Sequence, residues 1–179
     1  MRLPIVLVTF LLALAFAAPS FATTIVTPDG KVAQPYQTWV NRSYVPGPPG
    51  TVVLHLENCP AGQAPEWAAA CALPAQQTIY LGREAQYKDR FFHELGHIYD
   101  ADDMTDPLRS LFESVIRRPG VWAWTATAKN PPVEQFAEAY SMCARHRTLR
   151  ELVYGMYDYM PTPAMHRQAC SVIRRAAAA

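Results

Sequence analysis

The chain reads as an α+β domain, a small N-terminal β-sheet followed by a mainly helical C-terminal half. Two observations carry that reading. From Thr23 to about Gly82, β-branched and aromatic residues come in short runs separated by Pro- and Gly-rich turns, the pattern of strands and loops. After Gly82 the apolar residues recur at spacings of three and four, the period of amphipathic helices. Size agrees with one domain, because residues 23–179 make up an ordinary single core.

The first residues stand apart. Arg2 is followed by an almost wholly apolar run, Ile5 to Ala18, and then by Ser20-Phe21-Ala22. That order predicts a signal peptide at residues 1–22, cut after Ala22. The run is short for a membrane span, and no cysteine lies near the cut to take a lipid. The expected location is therefore secreted or periplasmic, with no stable membrane association after cleavage. A formal net charge of +1 argues against a nucleic-acid partner.

Strands are expected at Thr24–Thr27, Trp39–Val45, Thr51–Leu56 and Gln77–Leu81, with Pro28-Asp29-Gly30 and the Pro/Gly run 46–50 turning the chain between them. The last of these, just before the first helix, would offer an edge for an extended peptide. His55 falls within a strand, where a metal role is the minor alternative. Asp106-Pro107 opens a helix carrying Leu108, Leu111, Phe112, Val115 and Ile116 on one stripe. Thr148-Leu149-Arg150-Glu151 has the form of a capping box before Leu149, Leu152, Val153, Met156 and Tyr157. Thr162-Pro163 starts a final helix through Met165, Ala169, Val172 and Ile173. The acidic group Asp100, Asp102, Asp103 and Asp106 lacks the glycine and distal glutamate of a calcium loop, so capping and turn roles fit it better.

The helix expected around residues 90–100 carries the chemistry. Its sequence, Arg90-Phe91-Phe92-His93-Glu94-Leu95-Gly96-His97-Ile98-Tyr99-Asp100, contains His-x-x-x-His with a glutamate next to the first histidine. Side chains at i and i+4 share one face, so His93 and His97 can reach one metal ion. Glu94 then points beside that ion, where a base for water would sit. Tyr87, Phe91, Phe92, Leu95, Ile98 and Tyr99 fall on the opposite side, leaving an apolar back for the core.

Two histidines are too few for a catalytic zinc, which usually keeps three protein ligands. No third histidine follows at short spacing. The best candidate is Glu134 in Pro132-Val133-Glu134-Gln135-Phe136-Ala137-Glu138-Ala139-Tyr140, with Glu138 one turn on, able to orient a ligand histidine through its second ring nitrogen. Ala137 and Ser141 share that stripe, small enough to admit another helix. Four cysteines in an exported chain read as two disulfides. Cys59–Cys71 with Cys143–Cys170 is one pairing, and two others satisfy the count.

His-Glu-Leu-Gly-His followed by Glu-x-Phe-Ala-Glu-Ala-Tyr resembles the zincin peptidases of the glutamate-ligand type, closest to the catalytic domain of anthrax lethal factor and related secreted bacterial metallopeptidases. The likeness covers about Arg90 to Cys143. It implies a zincin-like α+β fold, Zn2+ on His93, His97 and Glu134, Glu94 as general base, and Glu138 at the matching position of the second motif. It implies a peptide or protein substrate hydrolysed by an activated water. One departure stands out: the tyrosine that assists the transition state in that family falls on Thr127 here. Tyr140, Tyr154, Tyr157 and His146 are the residues able to replace it. Two other functions fit the same motifs: a secreted zinc-binding module without catalysis, and a hydrolase of non-peptide amides in cell wall.

Overall fold

The computed structural model describes residues 22–65, 68–118, 120–122 and 130–178. The expected signal peptide lies almost wholly outside these residues, and so does Thr127. The α+β class holds. Four strands, β1 (Thr24–Val26), β2 (Thr51–His55), β3 (Ala70–Leu73) and β4 (Thr78–Leu81), form one sheet, and five helices complete the fold: α1 (Tyr36–Asn41), α2 (Lys88–Asp103), α3 (Asp106–Ile116), α4 (Pro132–Arg145) and α5 (Pro163–Ala176). The sheet order is β1-β2-β4-β3. β1, β2 and β4 run parallel, and β3 runs antiparallel to β4.

Two strand expectations need correcting. Trp39–Val45 is not a strand. Tyr36, Trp39 and Val40 sit at helical spacing, and in α1 the Tyr36 and Trp39 rings pack against Phe91 of α2 at 5.0 and 6.0 Å between centroids. Here packing on one face outweighs β-branched composition. The strand at Thr78–Leu81 is not an edge, since β3 pairs along its outer side. Ala70-Cys71-Ala72-Leu73 carries little β-branched or aromatic signal, which is why it is unreadable as a strand in sequence.

α2 lies between the sheet and α4. Its back, Phe91, Phe92, Leu95, Ile98 and Tyr99, is fully buried together with Ile25, Val52, Leu54, Ile79 and Leu81 from the strands. Tyr87, expected on the same side, is instead 64% exposed, because it is the N-cap and lies ahead of the first helical turn. Each such side chain contributes about 1.5–3 kcal/mol, which holds α2 firmly on the sheet. The opposite side of α2 meets α4. Gly96 faces Ala137, His97 faces Glu134, His93 faces Glu138, and the Ser141 hydroxyl donates to the Asp89 carbonyl at 2.8 Å. Numbers that rise on α2 fall on α4, so the two helices are antiparallel. A Cβ on Gly96 would lie 3.0 Å from both Ala137 Cα and Tyr140 Cβ. The small-residue stripe thus brings the two helices together where their polar groups must meet.

α3 begins at Asp106, where the sequence places the N-cap, so the cap falls one residue earlier, on Thr105. In α5 the Thr162 hydroxyl accepts from the Met165 amide at 3.2 Å, as its sequence predicts. Residues 148–157 are not a helix. The segment folds back on itself, with Gly155 N donating to Tyr159 O at 2.9 Å and Tyr159 N to Met156 O at 2.9 Å. Tyr157 and Asp158 both have positive φ, 54° and 55°. Both disulfides form, Cys59–Cys71 and Cys143–Cys170. The first ties the loop after β2 to β3, and the second ties α4 to α5. Two disulfides fit an oxidising, non-cytoplasmic compartment. Among the described residues no helix is long and apolar enough to cross a membrane.

Candidate metal centre

Three ligand atoms converge between α2 and α4. His93 Nε2 lies 3.0 Å from Glu134 Oε2, and His97 Nε2 lies 3.5 Å from the same oxygen. A tetrahedral ion with bonds of about 2.0–2.1 Å sets its ligands about 3.3 Å apart. The observed separations match that edge, so these buried groups are able to hold a metal ion. The donors are two imidazoles and one carboxylate. His93 and Glu134 are buried, and His97 opens partly to solvent, which leaves one side of the group accessible.

Glu138 stands behind His93. Its Oε2 lies 3.4 Å from His93 Nδ1, and neither atom has a hydrogen-bond partner elsewhere. This is the contact that fixes the tautomer and orientation of a ligand imidazole. The structure therefore brings His93, His97, Glu134 and Glu138 into one cluster, with Glu94 buried beside it.

Burial alone would push the His93 imidazolium down. The carboxylates of Glu134 and Glu138, with Glu94 behind them, overcome that and raise it to about 9. Burial likewise favours the neutral acid at Glu134, but His93 and His97 hold its carboxyl well below the usual range. Glu94 is the opposite case. Its burial raises the carboxyl despite the two histidines, and Glu134 adds to the rise. The two carboxyls of one site are thus shifted in opposite directions, Glu134 down and Glu94 up.

Among Tyr140, Tyr154, Tyr157 and His146, it is Tyr157 that lies against the cluster. Its ring stacks on His93 with centroids 5.4 Å apart and planes 22° apart. Burial and the nearby Glu134 and Glu94 carboxylates keep its phenol protonated well above the ordinary value. Tyr140 is buried, with its hydroxyl donating to the Pro46 carbonyl at 2.8 Å. Tyr154 is 77% exposed. His146 lies at the far end of α4, beyond Glu138. The sequence put Tyr157 on a helix that does not exist. Gly155 and the prolines at 161 and 163 were the available signal, because a Cβ at Gly155 would crowd Glu138 and the Tyr159 carbonyl at 2.9 Å each.

Other candidates resolve as structural. His55 pairs with Glu57 and stacks on Tyr80. Asp100 is buried and accepts from Arg109 Nε and Trp122 Nε1, each at 2.9 Å, which fixes α3 against α2. Asp102 accepts from Gln77. The cluster Cys143–His166–Cys170 has its two sulfurs joined as a disulfide. Comparison with family models, curated proteins and solved structures finds no match to this chain. Its function rests on the chemistry of the site.

Proposed function

We propose that this chain is an exported zinc peptidase of the glutamate-ligand type, with His93, His97 and Glu134 as ligands and Glu94 as general base. The observation that supports it is the convergence of those three ligand atoms beside a buried glutamate whose carboxyl is raised. Two imidazoles and a carboxylate suit zinc. Bound there, zinc supplies Lewis acidity and lowers the pKa of water to about 7.

The chain's own groups do the rest. Glu94 accepts a proton from the attacking water and returns it to the departing amine. The Tyr157 phenol, protonated and beside Glu134, donates a hydrogen bond to the carbonyl oxygen as charge develops on it. Glu138 holds His93 through Nδ1, so that Nε2 presents its lone pair to the metal.

The test pairs metal content with cleavage of a broad peptide library by the mature chain. Glu94→Gln should retain the metal and lose about 10²–10⁴-fold in rate. Tyr157→Phe should also retain it, with a smaller loss confined to kcat. Equal activity in wild type and Glu94→Gln would remove Glu94 as the base. Full metal occupancy without cleavage of any peptide would favour a zinc-binding module or an amidase acting on cell-wall crosslinks.

A further inference from the structure

Tyr157 stands on backbone held in an unfavourable conformation. Four non-glycine residues among those described have positive φ. Gln77 and Arg117 close helical turns, where that conformation is ordinary. Tyr157 and Asp158 close no helix, and they adopt it one after the other, at 54° and 55°. Aspartate tolerates the left-handed region, whereas the Cβ of a tyrosine disfavours it. Such a conformation persists only where surrounding contacts over-determine it.

Those contacts come in two kinds. The bonds from Gly155 N to Tyr159 O and from Tyr159 N to Met156 O tie the segment to itself. They close the turn without fixing it to the helices. Two side chains from outside do that. Asn130 Nδ2 donates to the Asp158 carboxylate, and Gln135 Nε2 donates to the Tyr157 carbonyl at 3.0 Å. Among the described residues, the Gln135 contact is the one hydrogen bond from α4 to the backbone of residues 153–161.

Gln135 is next to Glu134 on α4 and only 1% exposed. Burying an amide is unfavourable unless it is bonded, so an apolar side chain would suit the position if packing alone mattered. Its donor instead grips the residue whose ring stacks on His93, with centroids 5.4 Å apart. The helix that carries Glu134 therefore also sets where the Tyr157 ring lies.

We infer that Gln135 is a positioning residue, its amide holding the Tyr157 carbonyl and so keeping the phenol over His93 and Glu134. The task of that phenol rests on the peptidase reading. Its placement by Gln135 does not, because the bond lies in the chain itself.

The experiment has two arms. In the first, nuclear Overhauser contacts between the Tyr157 and His93 ring protons are measured in the metal-free chain. Wild type is expected to show them. Gln135→Met, which keeps the length and removes the donor, should lose them. Contacts between Tyr36 and Phe91, whose rings lie 5.0 Å apart in the core, should survive and report an intact fold. If Gln135→Met fails to fold, Gln135→Asn, one methylene shorter, takes its place. Absence of the Tyr157–His93 contacts from wild type, or their full retention in the folded variant, would overturn the proposal. In the second arm, peptides are cleaved by the zinc-loaded chain. Gln135→Met should lower kcat about tenfold with KM unchanged, and should add no further loss in a Tyr157→Phe background. An equal loss in both backgrounds would show that Gln135 does not act through the phenol, and would also overturn the proposal. No cleavage by wild type would count against the peptidase reading alone, and the first arm would then decide the placement.

Discussion

At the scale of single residues, the candidate centre works by setting neighbours of one chemical type to different tasks. Glu134 and Glu138 lie one turn apart on α4 and both face His93, yet only Glu134 reaches Nε2 and only Glu138 reaches Nδ1. Glu134→Ala is therefore expected to remove the metal. Glu138→Ala should weaken it by about 10–100-fold, the usual cost of an outer partner. Metal titration of both variants against a chromophoric chelator checks this, and the reverse order would exchange their roles. The pH dependence follows from His93. Its folded value of about 9 exceeds the ordinary histidine value of 6.5, so metal must displace a proton. Metal affinity should rise about tenfold per pH unit up to about pH 9 and then level off. In the metal-free chain, the stability His93 contributes is complete below its unfolded value and lost as pH rises through about 9. Glu134, lowered on folding, contributes above its unfolded value and loses that contribution in acid. Thermal melts of metal-free protein across this range should show stability falling from both ends.

Among the elements, the pairing of α2 with α4 decides whether the ligands meet. Gly96 and Ala137 set how closely the helices approach, and the ligands sit within a turn of that contact. Gly96→Val should cost about 1–3 kcal/mol through overpacking, even though valine is the better helix former. Because the strain falls between His97 and Glu134, metal affinity should fall as well. Denaturant melts with metal titration test both effects, and a stability loss with unchanged affinity would place the strain elsewhere. The sequence showed these helices well, because each has an apolar stripe and a polar stripe. It misplaced residues 148–157, whose Leu149, Leu152, Val153 and Met156 imitate a helical stripe. Tertiary contact overrode that pattern: Gly155 packs against Glu138 and Met142, and the backbone turns through positive φ at Tyr157.

For the molecule as a whole, the sheet supports α2, and the two disulfides staple what surrounds it. Cys143–Cys170 anchors α4, which bears Glu134, to α5, closing a separation of 27 residues. In the chain-entropy account such a loop contributes about 3–4 kcal/mol, and the 12-residue Cys59–Cys71 loop about 3. Together these are of the order of a domain's entire stability. Reduction by a dithiol is therefore expected to lower the denaturation midpoint sharply and release bound metal, and an unchanged midpoint would show the staples to be dispensable. The sequence by itself determined the fold class, the histidine helix and its apolar back. Those depend on periodicity and on residue type at fixed local spacing, which a single chain displays. It also named Glu134 and Glu138. Only the tertiary structure decided which of them faces which nitrogen, that Tyr157 covers His93, and that β3 closes the sheet edge. Those facts depend on how distant segments pack, and packing leaves no periodic trace in sequence.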